Sequence, residues 1–291
     1  MSVGLVVAGC GGGESLARPD LAFVSTRDGD YSIYEMDADG SGQRRLTEAE
    51  TDPSTPEGLF FQVEPAWSPD GTAIAFSSRR SGRFDIFTMS AGGTETKRLT
   101  STKADETHPT WSSSGRSLAY VRDGDIYVMN ADASGARRIS DPTVEESDPA
   151  WAPDGEWIAY VRRTPGTPVR ELWIMRPDGS ARRALTAQGA RVFTPAWSPD
   201  STRLVFSSNH ESEVFELYTV GIDGKGVRSV TPTAGDMFEP SWSPDGSTIA
   251  FSEGGSIFTV ELGGGDAKKL TDNENNDSSP VWNPSPPTNE P

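Results

Sequence analysis

The sequence contains few of the residues that build disulfide, thiolate and imidazole sites. Its 291 residues include one cysteine and two histidines. One cysteine cannot form an internal disulfide or a cysteine-rich zinc site. Basic residues are also scarce, because 26 Lys and Arg face 43 Asp and Glu, for a net charge of −17. Since affinity for nucleic acid comes mainly from basic side chains that neutralise phosphates, this balance excludes a nucleic-acid partner.

Long apolar segments are absent as well. The sequence has no run of about 18 apolar residues, so it predicts no membrane-spanning helix. What is abundant is glycine, proline and aromatic residues, with 30 Gly, 22 Pro, 8 Trp, 12 Phe and 6 Tyr. Disordered chains are poor in aromatic residues. This composition predicts a folded chain of many short strands joined by tight turns.

The first nineteen residues resemble an export signal followed by a spacer. A short apolar run ends in Val-Ala-Gly-Cys at residues 7–10, and three glycines follow. This pattern resembles the lipobox of bacterial lipoproteins, which implies that Cys10 is lipidated and anchors the chain to a membrane without crossing it. The alternative is a free Cys10 thiol. The basic region of a signal peptide is missing from residues 1–4, so we expect an upstream start codon or a truncated signal.

The remainder of the sequence repeats one phrase, Pro-x-Trp, at nearly regular intervals. Consecutive tryptophans of this phrase are 44, 40, 46, 45 and 40 residues apart. Internal repeats of this length indicate repeated structural units. The tryptophans of the phrase are Trp67, Trp111, Trp151, Trp197, Trp242 and Trp282.

Each repeat is expected to contain four short strands, as the second one illustrates. A Ser-Pro-Asp-Gly turn at 68–71 follows the first strand, and an alternating strand follows at 74–76. A third strand at 85–89 leads into a basic fourth strand at 97–100. Four strands in 40 to 45 residues are typical of a propeller blade. We interpret the basic fourth strands as outer edges whose charges prevent pairing with other chains.

The two ends of the repeat array complement each other. The first repeat lacks its Pro-x-Trp strand and begins at Leu21, while an extra Pro-x-Trp strand remains at 280–282. We therefore predict an all-β, six-bladed β-propeller over residues 20–285, with four antiparallel strands per blade. The C-terminal strand would complete blade one and close the ring. Residues 286–291 are predicted to form a disordered tail.

The repeats are similar to those of TolB-type propellers. The shared pattern is Pro-x-Trp-Ser-Pro-Asp-Gly, then Ile-Ala-Phe-x-Ser, Asp-Ile-Tyr-x-Met, an Asp-Gly turn and Arg-Arg-Leu-Thr. The resemblance covers nearly the whole chain and implies a secreted, propeller-only relative in the cell envelope or periplasm. It also implies that the protein binds a protein or peptide partner rather than a cofactor.

Candidate binding residues follow from the propeller arrangement. The residue before each repeat proline is expected at the mouth of the central channel, on the face that carries the variable loops. Carboxylates, an imidazole and hydroxyls around one axis can bind a cation or a basic peptide end. The alternative is a polar rim that only binds water. The six residues are Glu64, His108, Asp148, Thr194, Glu239 and Ser279.

Arginines that follow the second strands are expected on the same face. They can pair with the carboxylates of the mouth or hold an acidic ligand. The four are Arg27, Arg79, Arg122 and Arg162, and the last three are included in the predicted binding site.

The sequence carries no recognised catalytic motif. A Gly-x-Ser-x-Gly elbow, a phosphate loop and a His-Glu-x-x-His pair are all missing. We predict no catalytic residue, cofactor or metal site, and a monomeric, extracytoplasmic interaction scaffold that contacts the membrane only through lipidated Cys10. The alternative is a metal-assisted polysaccharide lyase, since oligogalacturonate-lyase-like propellers have related repeats. Those enzymes place several histidines around a metal, whereas His108 and His210 lie in different repeats here.

Overall fold

The computed structural model describes residues 20–47, 61–186, 189, 191–210, 213–230, 235–263, 265–272 and 275–284. The predicted export signal with Cys10, and the predicted tail at 286–291, lie outside these residues. Within the described ranges, no helix is long and apolar enough to cross a membrane.

Within the described ranges, 24 strands form six antiparallel sheets of four strands each, which confirms the predicted six-bladed propeller. From the channel outward, blade 1 contains β24 (Asp277–Trp282), β1 (Leu21–Ser25), β2 (Ser32–Met36) and β3 (Arg44–Arg45). Blade 2 contains β4 (Gln62–Trp67), β5 (Ala73–Ser78), β6 (Asp85–Ser90) and β7 (Lys97–Arg98). Blade 3 contains β8 (Glu106–Trp111), β9 (Ser117–Arg122), β10 (Asp125–Asn130) and β11 (Arg137–Arg138). Blade 4 contains β12 (Glu146–Trp151), β13 (Ile158–Arg163), β14 (Arg170–Met175) and β15 (Arg183–Ala184). Blade 5 contains β16 (Val192–Trp197), β17 (Arg203–Ser208), β18 (Glu216–Gly221) and β19 (Arg228–Ser229). Blade 6 contains β20 (Met237–Trp242), β21 (Thr248–Glu253), β22 (Ser256–Glu261) and β23 (Lys268–Lys269).

The last strand closes the ring, as the repeat ends predict. β24 pairs antiparallel with β1, and Leu21 lies opposite Trp282 in the register. Beyond this pair, the backbone N–H of Asn283 donates to the carbonyl oxygen of Asp20 at 2.7 Å. Blade 1 is therefore built from both ends of the described chain.

The hydrophobic core consists of layers between neighbouring blades. In one layer, Ala22 and Ile33 of blade 1 pack with Phe76 and Met89 of blade 2, all of them buried. Each blade is apolar on both faces, so it is stable only between two neighbours. The packing of each blade against its neighbours therefore stabilises the whole ring.

Three of the six repeat tryptophans, Trp67, Trp111 and Trp197, join the inner strands of adjacent blades through their indole N–H groups. The indole N–H of Trp111 donates to the carbonyl of Ala66 at 3.2 Å, and that of Trp197 donates to Ala150 at 2.9 Å. These residues belong to consecutive blades. The regular spacing of tryptophan thus reflects a repeated contact between blades.

The basic fourth strands make more specific contacts than the sequence indicates. In blade 2, the Arg98 guanidinium lies 2.7 Å from a carboxylate oxygen of buried Asp85. The hydroxyl of Thr100 accepts the backbone N–H of Ile86 at 2.8 Å. Arg45 with Asp30 and Arg138 with Asp125 repeat the ion pair in blades 1 and 3. These charges therefore bind the edge strand to its own blade.

In blades 1, 2 and 4, the glycine of the hairpin turn between the third and fourth strands lies directly against the preceding blade. Gly93 has a φ of +83°, and a Cβ atom there would lie 2.2 Å from the carbonyl oxygen of Leu46. Gly40 and Gly179 stand in the same relation to Leu270 and Ile139. Glycine adopts this positive φ without strain and leaves room for the neighbouring backbone, whereas blade 3 has Ala133 at the same position with a φ of +75°.

Candidate functional site

A β-bulge in each inner strand builds the candidate site. In β4, the register with β5 shifts between Val63 and Ala66, so that two residues stand opposite one. The extra residue is Glu64, whose φ is +58°. Bulges turn a side chain away from its normal alternation. His108, Asp148, Thr194, Glu239 and Ser279 occupy the same position, with φ between 46° and 56°.

Three of these residues form one cluster across blades 2 to 4. The Nε2 atom of His108 lies 3.2 Å from Oε1 of Glu64 and 3.1 Å from Oδ1 of Asp148. Oε2 of Glu64 accepts the backbone N–H of His108 at 2.7 Å and the Ser77 hydroxyl at 2.6 Å. Consecutive blades are therefore linked through their bulge residues.

The two carboxylates determine the protonation of His108. Burial disfavours the imidazolium, but the charge of Glu64 and the hydrogen bond and charge of Asp148 outweigh it and raise the pKa of His108 to about 9. The same contact lowers the pKa of Asp148 below its ordinary value, although burial acts against this shift. Exposed fractions of the side chains are 34% for His108, 23% for Glu64 and 11% for Asp148. At neutral pH His108 is therefore an imidazolium held between two carboxylates, and the three side chains remain partly exposed at the channel.

The other three bulge residues form a second cluster across blades 5, 6 and 1. The Thr194 hydroxyl accepts the backbone N–H of Glu239 at 3.1 Å. Oε2 of Glu239 accepts the backbone N–H of Ser279 at 2.7 Å and the Ser252 hydroxyl at 3.0 Å, while Oε1 accepts the Ser279 hydroxyl at 2.9 Å. The structure therefore brings all six predicted residues to equivalent places around the channel, where they bond to one another in two groups.

The arginines predicted on this face lie away from those carboxylates. Nε of Arg122 lies 2.7 Å from buried Glu106, and Arg162 lies 3.7 Å from Asp141. Arg27 pairs with Asp277 at 3.3 Å. The guanidinium of Arg79 stacks at 5.7 Å from the ring centres of both Phe61 and Phe84. The expected pairing with the channel-mouth carboxylates is thus replaced by pairing with other acidic residues and stacking on aromatic rings.

Three phenylalanines beside the mouth, Phe193, Phe215 and Phe238, are not among the residues predicted from the sequence. Phe193 and Phe238 precede the bulge residues in blades 5 and 6, where other blades have Val63, Thr107 or Ser147. Phe215 lies between them, with ring centres 5.4 Å and 5.1 Å away. An alignment of the repeats at the bulge position contains this signal, because only these two repeats carry phenylalanine there. The mouth therefore carries phenylalanines at blades 5 and 6, where the other blades have smaller residues.

A separate cavity of about 490 Å³ lies at the opposite end of the inner strands. The repeat tryptophans and the prolines of the Ser-Pro-Asp-Gly turns line it, together with small residues such as Ala66 and Ala196. Its walls coincide with the contacts that join the blades. The cavity therefore belongs to the scaffold described above.

The histidines do not form the cluster that the lyase alternative requires. His108 is held by carboxylates, whereas His210 of blade 5 packs edge-on against Tyr218 with ring centres 6.2 Å apart. The described part of the chain contains no group of three or more His, Cys, Asp or Glu side chains that could hold a metal ion.

Six four-stranded antiparallel blades around a polar channel mouth define this protein as a six-bladed β-propeller. Its family is also clear, because the model of the TolB beta propeller domain matches residues 17–192 and 148–288. The chain belongs to that family.

Relatives match shorter segments of the chain. A Tol-Pal system protein TolB of Desulfosudis oleivorans is 34% identical over 67 residues, which is 23% of this chain and 13% of the relative. An uncharacterized protein of Agrobacterium fabrum is 30% identical over 101 residues, 35% of this chain and 31% of the relative. The matches span less than a third of the length of these curated relatives.

Solved structures share the fold. The crystal structure of TolB from Acinetobacter baumannii superposes with a TM-score of 0.75 at 20% identity, covering 91% of this chain and 66% of that one. An oligogalacturonate lyase in complex with manganese gives a TM-score of 0.59 at 17% identity, covering 85% and 72% of the two chains. At these identities the likeness concerns the architecture alone.

Proposed function

We propose that this propeller is a non-catalytic interaction scaffold of the cell envelope, which binds a protein or peptide partner at the channel mouth and on the loops around it. The observation that carries the proposal is the gathering of Glu64, His108, Asp148 and Glu239 at one end of the channel on equivalent bulges. Charged groups fixed by backbone geometry give register and specificity to an interface. Membership of the TolB propeller family and a match to a Tol-Pal system protein support a role in the envelope.

We place the protein outside the cytoplasm, anchored through Cys10. The lipobox-like residues 7–10 and the family relation support this location. Mass spectrometry of the native protein should find a diacylglyceryl group on Cys10, and an unmodified thiol would refute the anchor.

The binding proposal is tested by removing charge from the mouth while keeping one hydrogen-bond acceptor oxygen on each altered side chain. The triple variant Glu64→Gln, Asp148→Asn, Glu239→Gln removes three carboxylates. We expect its capture of partners from an envelope extract to fall by about tenfold or more, because charged groups near the centre of an interface often contribute more than about 1.4 kcal/mol.

The matched control removes three carboxylates from hairpin turns at other positions. The variant Asp39→Asn, Asp132→Asn, Asp178→Asn changes exposed residues and keeps the Oδ1 acceptor that each turn uses. Capture should match the wild type. Equal capture by wild type and by both triple variants would refute the proposed site.

A further inference from the structure

Five residues beside the channel mouth form what we call the aromatic–arginine patch: Arg170, Arg191, Phe193, Phe215 and Phe238. The guanidinium carbon of Arg170 lies 5.0 Å from the ring centre of Phe193. That of Arg191 lies 5.4 Å from the ring of Phe215 and 5.9 Å from that of Phe193. Arg191 is exposed and the other four are partly exposed. Two cations thus share one aromatic platform at the surface.

The backbone holds the two arginines side by side. Arg170 begins β14 in blade 4, and Arg191 immediately precedes β16 in blade 5; the two form an isolated parallel bridge. The backbone N–H of Arg191 donates to Oδ1 of Asn209 at 3.0 Å, and that of Phe215 donates to Oδ1 of Asp236 at 2.8 Å. The bridge between blades 4 and 5 and these two hydrogen bonds fix the backbone from which the patch side chains extend.

The two arginines of the patch differ from the arginines of this face that form ion pairs. Arg122 is the last residue of β9, and Arg27 lies in the turn between β1 and β2. Each pairs with a buried carboxylate, Arg122 with Glu106 and Arg27 with Asp277. Among the residues that the structure describes, neither Arg170 nor Arg191 forms an ion pair, and both have only aromatic rings against their guanidinium groups. Asp148 is within electrostatic reach of Arg170 but forms no ion pair with it, so in a chain with a net charge of −17 the two neighbouring arginines form a local basic site. Such a site attracts an anion.

The aromatic surroundings indicate what kind of anion fits. Arginine presents a planar fork that binds a carboxylate through two parallel hydrogen bonds. Phe193, Phe215 and Phe238 offer an apolar surface next to that fork, which a small inorganic anion would leave uncovered. Arginine and aromatic residues together are the usual centre of peptide and protein interfaces. A carboxylate next to an apolar side chain, as in an acidic peptide, matches both parts of the patch.

We propose that the aromatic–arginine patch binds an acidic segment of the partner, with a carboxylate between Arg170 and Arg191 and an apolar side chain on Phe193 and Phe238. This inference rests on the proposed interaction function and adds the chemistry of the partner. The cluster of Glu64, His108 and Asp148 adjoins the patch at blade 4, where the charge of Arg170 acts on Asp148. The complete partner surface therefore has an acidic part next to a basic part.

The test uses the full chain and two pools of dye-labelled hexapeptides. One pool combines Asp and Glu with Phe, Leu and Trp, and the other has Asn and Gln in place of the acids. Fluorescence anisotropy should show at least tenfold tighter binding of the acidic pool to the wild type. The variant Arg170→Gln, Arg191→Gln should lose that preference and keep the thermal stability of the wild type.

A charge-matched control is Arg116→Gln with Arg228→Gln, which alters two exposed arginines outside the patch. It should bind the acidic pool like the wild type. Equal affinity of the wild type for both pools, or unchanged binding by the patch variant, would overturn the inference. Binding of phosphatidylglycerol vesicles without binding of the acidic pool would assign the patch to a membrane instead and would also overturn it.

The same variant separates this inference from the proposed function. If envelope partners are captured by the wild type and equally by the patch variant, the scaffold stands and the acidic-segment inference fails. If the wild type captures no partner, the scaffold itself fails, whatever the peptide pools show.

Discussion

At the scale of single residues, the channel mouth depends on a backbone feature that sequence comparison locates only indirectly. Aligning the repeats on Pro-x-Trp brings Glu64, His108 and Asp148 to one position, so their common location could be predicted. Their mutual bonds could not, because these depend on a bulge that turns each residue out of the normal strand alternation. The repeat pattern therefore predicts where these residues lie, whereas the backbone bulge determines which atoms they contact.

His108 should make stability depend on pH in the alkaline range. Its pKa in the folded protein, about 9, lies above the ordinary value of 6.5. A raised pKa stabilises the folded state fully below the unfolded value, and this stabilisation is lost as pH rises through the folded value. The free energy of unfolding of the wild type should therefore fall relative to His108→Gln between about pH 6.5 and 9, by at most about 1.4 kcal/mol per pH unit.

Urea unfolding at pH 6 and pH 9.5 measures this difference. The control His210→Gln removes the other histidine, which lies against Tyr218 rather than between carboxylates. It should show the same pH dependence as the wild type. A constant difference between wild type and His108→Gln across this range would contradict the assigned ion pairs.

At the scale of strands and turns, the hairpin between the third and fourth strands illustrates what periodicity reveals and what it omits. The Asp-Gly pairs predict tight turns with positive φ, and these are present. The contact of these glycines with the neighbouring blade is a second role: Gly40 of an Asp-Gly turn faces the Leu270 carbonyl, and Gly93 of the Gly-Gly turn in blade 2 faces that of Leu46. Likewise, the sequence reveals that the edge strands are basic. The ion pair of Arg98 with Asp85 could be assigned only once the register of the sheet was known.

Gly93→Ala should destabilise the protein more than the strain of its turn alone explains. Gly82 has a similar φ of +89°, but a Cβ there would meet nothing within 4 Å. Gly82→Ala is therefore the control for backbone strain, which costs roughly 1–2 kcal/mol. Gly93→Ala should cost about 1–3 kcal/mol more, because the blades must separate to admit the methyl group.

Thermal and urea unfolding of the two variants provide the comparison. Equal loss of stability in Gly93→Ala and Gly82→Ala would show that the contact between blades contributes nothing beyond the turn. A larger loss in Gly93→Ala supports the contact with Leu46.

At the scale of the whole molecule, the closed ring was predictable from the sequence and its uneven mouth was not. The missing first strand and the surplus strand at 280–282 indicate closure by simple counting. The aromatic–arginine patch arises because blades 4, 5 and 6 contribute neighbouring residues that lie far apart in the sequence. Counting repeats gives the common architecture, whereas the differences between repeats become meaningful only when the blades lie side by side.

Truncation before Pro280 should destabilise the entire ring. It removes half of β24, including the pairs of Val281 and Trp282 with β1, and it weakens the interface between blades 6 and 1. Because domains are stable by only about 5–15 kcal/mol, this loss should lower the midpoint of thermal unfolding by many degrees or abolish cooperative unfolding. Truncation after Pro284 keeps β24 and should leave the midpoint nearly unchanged. Identical midpoints for the two truncations would contradict ring closure by β24.

The pairing of the first strand with the last also constrains how the protein is made. A ribosome releases β1 early and β24 only after five further blades have emerged. Throughout that interval the hydrogen-bonding edge of β1 has no native partner, and an open edge can pair with other chains. Domains with such distant pairings fold slowly and are exposed to aggregation while incomplete. The ring therefore becomes a protected unit only after β24 has been synthesised, and binding by a chaperone before that point would be most useful at blade 1.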